Sequence, residues 1–312
     1  MRLTVKSQYQ MKTNGVLYLS LLLISLLAKT SPLVAHPTGN IALYKGDIYW
    51  PYVHPIDNKE HHSCVMVHDE SGQTRVFFTS DYSASDFMLY ADRDLLYLLE
   101  RRFIRSANKF EFRILRYQEG GEVELWWDWA EDKWHVGEGG FSVESEHSIV
   151  FVRYPEIYRM GKNQSVEKHF KTEEEVSRMK RIPSVGFILN TETGCLLVNE
   201  NGEILSKWEH LIQEEIDDPP LGRNTLFAAD YNDGNLIYAY WGKRTFERID
   251  PTGEKSILLS IREPFAPHWI AFCEKGYLLF SSSILAGKNP RPQFFLITPG
   301  GEKTIIWEEL PE

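Results

Sequence analysis

An all-β chain built of repeated antiparallel hairpins is the fold class this sequence predicts, and three observations carry it. A turn followed by an apolar run recurs six times: Lys45-Gly46-Asp47-Ile48-Tyr49-Trp50, Arg93-Asp94-Leu95-Leu96-Tyr97-Leu98, His147-Ser148-Ile149-Val150-Phe151-Val152, Thr193-Gly194-Cys195-Leu196-Leu197-Val198, Asp233-Gly234-Asn235-Leu236-Ile237-Tyr238 and Lys275-Gly276-Tyr277-Leu278-Leu279-Phe280. Most copies close on a second turn, Gly121-Glu122, Gly202-Glu203, Gly253-Glu254 or Gly301-Glu302, ahead of another alternating run. Helical periodicity is scarce, and 43% hydrophobic with 13% aromatic residues leaves ample material for a continuous core. A unit of this strand content recurring every ~40–50 residues is one blade of a β-propeller, so six copies predict a six-bladed propeller of four-stranded antiparallel blades. A lone blade cannot cover both of its faces, which makes residues 36–312 one domain.

The strands follow in order from alternation and turn chemistry. The first blade takes 41–44, 48–52, 64–68 and 74–79; the second 86–90, 95–100, 111–117 and 123–127; the third 140–143, 149–153, 157–160 and 165–170. The fourth blade reads as short, with 185–189, 195–199 and 204–208 and no fourth strand, while the charged stretch 172–180 around Glu173-Glu174-Glu175 reads as a short exposed helix or linker. The fifth blade takes 226–231, 236–241, 245–249 and 256–261, and the sixth 269–273, 277–281, 293–298 and 304–308. Asn201-Gly202 and Asp233-Gly234 suit tight hairpin turns, and Pro251-Thr252-Gly253 and Pro299-Gly300-Gly301 pair a preset φ with a left-handed position. The first strand of each blade is expected to line the central channel.

The run Asp233-Gly234-Asn235-Leu236-Ile237-Tyr238-Ala239-Tyr240 through Arg248-Ile249-Asp250-Pro251-Thr252-Gly253-Glu254 resembles the repeats of bacterial six-bladed propellers of the NHL and TolB-like type. The resemblance covers the fifth blade well and the sixth fairly, and it implies a fold without transferring an activity.

The first 35 residues read as a signal peptide: Arg2, Lys6 and Lys12, an apolar run from Val16 to Ala28, then a polar stretch ending in Leu33-Val34-Ala35. Met11 is an alternative start. The run is shorter than the ~20 residues a spanning helix needs, so the reading is a secreted or periplasmic protein with no permanent membrane anchor. Cys64, Cys195 and Cys273 are too few for a disulfide scaffold, and a buried thiol packs as a small hydrophobe. A net charge of −10 argues against nucleic acid. The basic cluster Arg101, Arg102, Arg105, Lys109, Arg113 and Arg116 reads as a solvated hairpin face.

No catalytic set emerges. Ser281-Ser282-Ser283 lacks the setting of a nucleophile elbow, and Gly137-Glu138-Gly139-Gly140 precedes a strand, so it is a turn. His54, His61, His62 and His68 are candidate metal ligands near Cys64, although alternate strand residues lie ~7 Å apart and no zinc spacing is matched. His62, Cys64, Met66 and His68 would share one strand face, with Val65 and Val67 on the other. Trp126, Trp127, Trp129 and Trp134 among carboxylates suit sugar stacking, against a simpler reading in which one of the neighbouring pair is core. Propeller lactonases hold a divalent cation with channel carboxylates and amides, a part that Asp230, Asn232 and Asp233 could play here, without the surrounding motifs.

The leading functional expectation is a monomeric binding module for a protein, peptide or carbohydrate, with no cofactor required. A metal-assisted hydrolase or lactonase at the channel is the alternative and leaves room for a divalent metal. Asp230, Tyr231, Asn232, His268, Trp269, Tyr44 and Tyr90, at the ends or loops of first strands, are the candidate ligand-binding residues. On this reading Asp230 and His268 could be replaced by alanine with little effect on stability.

Overall fold

The computed structural model describes residues 40–53, 62–83, 85–212, 216–217, 219–220, 223–283 and 292–308. Residues 1–35, where the signal peptide is expected, lie outside the described residues, as do His54 and His61. The described chain forms six blades in a ring, each a four-stranded antiparallel sheet, and every element is a strand.

Blade one holds β1 (Ala42–Tyr44), β2 (Asp47–Val53), β3 (His62–His68) and β4 (Thr74–Ser83). Blade two holds β5 (Ser85–Ala91), β6 (Leu96–Ile104), β7 (Lys109–Tyr117) and β8 (Val123–Glu131). Blade three holds β9 (Phe141–Ser145), β10 (Ser148–Arg153), β11 (Glu156–Gly161) and β12 (Val166–Phe170). Blade four holds β13 (Val176–Ile182), β14 (Gly186–Thr191), β15 (Cys195–Val198) and β16 (Ile204–Trp208). Blade five holds β17 (Leu226–Asn232), β18 (Asn235–Tyr240), β19 (Thr245–Ile249) and β20 (Lys255–Ser260). Blade six holds β21 (Phe265–Cys273), β22 (Gly276–Ser283), β23 (Pro292–Ile297) and β24 (Lys303–Glu308).

One turn device closes four of the blades. Asp69, Asn199, Asp250 and Thr298 each accept the amide of the residue three positions on at their own carbonyl, and that residue is Gly72, Gly202, Gly253 or Gly301. Their side-chain oxygens accept a second amide four positions on, from Gln73, Glu203, Glu254 and Glu302. Side-chain acceptors of this kind stand in for backbone and favour such turns, which explains the recurring Gly-Glu pairs.

The fourth blade departs from expectation. It is complete, and residues 172–180 are neither helix nor linker, because Val176–Ile182 is its first strand. Val176, Met179 and Ile182 are buried, a spacing of three that imitates a helix face: a bulge between Val176 and Arg178 puts Val176 and Met179 on one side of the strand, while Ile182 is buried on the other. A bulge adds one residue and breaks the two-residue period. The strand lining the channel in this blade is therefore β13, not 185–189. Its docking against blade three uses glycine. Met179 donates its amide to the Gly139 carbonyl at 2.7 Å, and a Cβ on Gly140, at φ +100°, would lie 2.4 Å from the Met179 carbonyl oxygen. The Gly137–Gly140 turn thus permits close backbone approach.

Among the described residues no strand crosses from one end of the chain to the other end's blade, so side chains close the ring. Trp50 of blade one packs on Phe294 and Trp307 of blade six at centroid distances of 4.6 and 5.3 Å, and Tyr52 meets Trp307 edge-on. Cys64 and Met66 join that cluster, whereas Val65 and Val67 face blade two, as the alternation of β3 requires.

Candidate functional site

A cavity of about 750 Å³ opens where the first strands end, and β1, β5, β9, β13, β17 and β21 all contribute to its wall. Five of the seven sequence-predicted residues line it: Asp230, Tyr231, Asn232, Tyr90 and Trp269. The other two point elsewhere. Tyr44 is buried between blades one and two, where its hydroxyl donates to the Asp94 carbonyl at 2.8 Å and accepts the Glu119 amide. His268 is buried among the rings of Phe227, Trp241 and Phe280.

Asp230 anchors the site. It is 4% exposed, and Oδ2 accepts Lys180 Nζ at 2.5 Å and the Phe272 amide at 2.8 Å, while Oδ1 accepts the Tyr231 amide at 2.9 Å. One carboxylate thereby ties the first strands of blades four, five and six together. This corrects the expectation that Asp230 could be removed without loss of stability. It also bears on the lactonase reading: the carboxylate is already committed to a cation and two amides, which disfavours it as a metal ligand. Among the described residues no three His, Cys, Asp or Glu side chains converge as a metal site would need.

Two further cations of β13, Arg181 in the cavity wall and Arg178 beside it, are missed when that stretch is taken as a linker. On its blade-three side, Arg181 donates to the Val143 carbonyl at 2.8 Å and pairs with Glu200. On the blade-five side, Arg178 lies two residues before Lys180, its guanidinium 4.2 Å from the Phe227 ring centroid and 5.6 Å from that of Trp269. Burial, with Arg223 adding like charge, lowers its pKa to about 10. On β5, burial raises the Asp86 carboxyl to about 6, partly offset by Arg101 and reinforced by Asp132 and Glu138. Burial likewise raises the Tyr90 phenol.

The other candidates resolve into packing. Trp126 and Trp127 are buried and stacked at 5.1 Å, Trp129 is covered by Arg102 at 3.7 Å, and Trp134 is partly exposed against Tyr158. The basic hairpin is neutralised: Arg101 pairs with Asp132 and Glu138, Arg102 and Lys109 with Glu111, Arg113 with Glu100, and Arg116 with Glu124. His62 Nδ1 lies 2.9 Å from the Ser80 carbonyl and His68 Nδ1 2.8 Å from the Thr74 hydroxyl, with burial lowering the His68 pKa. None of the three cysteines is in a disulfide.

These features define the class: a six-bladed β-propeller with a cavity of mixed polar and apolar lining at one end of its channel. No family model and no curated protein matches the sequence. Among solved structures, virginiamycin B lyase from Staphylococcus aureus is similar at TM-score 0.50 and 12% identity, over 84% of this chain and 96% of that one. The nidogen/laminin complex is similar at TM-score 0.50 and 13% identity, over 87% and 92%. A gluconolactonase from Xanthomonas campestris reaches TM-score 0.44 at 9% identity over 65% and 68%, too low to argue from. At such identities the likeness shows the fold alone.

Proposed function

We propose that the protein is an exported binding module that receives a compact ligand, a short peptide segment or a glycan end, in the mouth of its central channel. The observation that carries this reading is the cavity, to which all six first strands contribute. Its volume of about 750 Å³ falls within the ~300–1,000 Å³ of small-ligand sites, so it suits part of a macromolecule or a small molecule. Polar groups from blades two, four and five meet apolar wall from Trp269 and Phe141, the mixture that orients and desolvates a ligand. Export is supported by the order of charged, apolar and small residues in the first 35 positions.

The test is obstruction. Asn232 is exposed and lines the cavity, so Asn232→Trp narrows the mouth without disturbing the core. Peptide and glycan arrays supply ligands for the parent. Such ligands should bind Asn232→Trp at least tenfold more weakly and bind a Trp134→Ala variant, altered at the outer edge, as they bind the parent. Equal binding by Asn232→Trp moves the site out of the channel.

A further inference from the structure

We propose that the channel wall beside Arg178 binds a carboxylate carried on a flat, apolar body such as an aromatic ring. This deepens the channel reading and rests on it. Arg101, Arg102, Arg113, Arg159, Arg181 and Arg244 each have a carboxylate partner. Arg178 makes no hydrogen bond or ion pair with the described residues and meets only the rings of Phe227 and Trp269. A half-buried guanidinium set against two rings, with no acceptor among the described residues, keeps its donors available for an anion that arrives from outside.

Position and surroundings define that anion. Trp269 belongs both to this aromatic bracket and to the cavity wall, and Met179 and Lys180, next along β13, also line the cavity. A ligand that fills the cavity as far as Trp269 therefore comes close to the guanidinium, which lies 5.6 Å from that ring's centroid. Lys180 is already neutralised by Asp230, which leaves the charge to Arg178. The planar fork of a guanidinium matches a carboxylate in two parallel hydrogen bonds, and Trp269, shared with the cavity wall, gives a flat body an apolar surface. A more highly charged anion such as phosphate is disfavoured by the net charge of −10. The depressed Arg178 pKa agrees, since an arriving anion would restore it.

The experiment is calorimetric and ligand-observed NMR titration of the full chain with benzoate, with benzamide and inorganic phosphate as comparators. Benzoate should bind saturably, benzamide and phosphate at least tenfold more weakly, and Arg178→Gln should lose at least tenfold for benzoate while its affinity for benzamide stays within twofold. Arg159→Gln, an arginine outside the cavity that pairs with Glu144 and Glu167, should bind benzoate as the parent does. Benzoate binding that survives Arg178→Gln but falls in Lys180→Met overturns the assignment to Arg178 while leaving the channel as the site. The absence of saturable benzoate binding overturns the ligand class and leaves the obstruction test with Asn232→Trp to judge the channel.

Discussion

Lys180 and Arg178 stand two residues apart on one face of β13, and their fates differ. Lys180 closes a three-blade junction with a carboxylate that also holds two backbone amides, whereas Arg178 faces two aromatic rings and no acceptor among the described residues. The difference separates a charge used to build the channel from a charge left for something else. Strand rise puts the two heads only ~7 Å apart, so burial alone does not explain it. What decides is the partner strand: β17 presents Asp230 opposite Lys180 and Phe227 opposite Arg178.

Breaking the structural end should cost most. Asp230→Ala leaves Lys180 without a counter-charge and two amides without acceptors, for an expected loss of ~2–3 kcal/mol in urea unfolding, discounted because the Lys180 side chain is 32% exposed. Lys180→Met leaves Asp230 its two amides and should cost ~1–2 kcal/mol. A loss under Asp230→Ala no larger than that of an exposed substitution would refute the junction.

Asp86 gives a smaller effect with a defined sign. Its carboxyl is raised from 3.8 to about 6, so the folded chain holds the proton more tightly than the unfolded one. The stability this contributes is present in full below about 4 and lost as pH rises through about 6. Asp86→Asn should remove that decline and gain ~1 kcal/mol at neutral pH, read from unfolding curves at several pH values. The smallest change belongs to Arg178→Gln, within ~0.5 kcal/mol, since ring contacts are all that is lost.

Five blades were legible because their strands alternate between two packed faces, and turn residues such as Asp69, Asp250 and Thr298 punctuate them. β13 was not legible, because its bulge brings Val176 and Met179 to one face while Ile182 is buried on the other, a helix-like spacing of three. With that strand went Lys180, Arg181 and Arg178. Asp230, Tyr231, Asn232, Tyr90 and Trp269 could be found because the ends of first strands converge on a channel mouth. Tyr44 and His268 occupy comparable strands yet turn into the blade packing, a direction set by neighbours that are distant in sequence, such as Asp94 and Trp241.

The contrast between the two cations can be measured in one spectrum. With arginine labelled in nitrogen-15, the Arg178 Nε–Hε signal, assigned by its disappearance in Arg178→Gln, is followed during a benzoate titration. The account predicts that this signal shifts saturably while that of Arg181, held by Glu200 and the Val143 carbonyl, stays fixed. An Arg178 signal that stays fixed while benzoate binds, with the Arg181 signal shifting in its place, would contradict it.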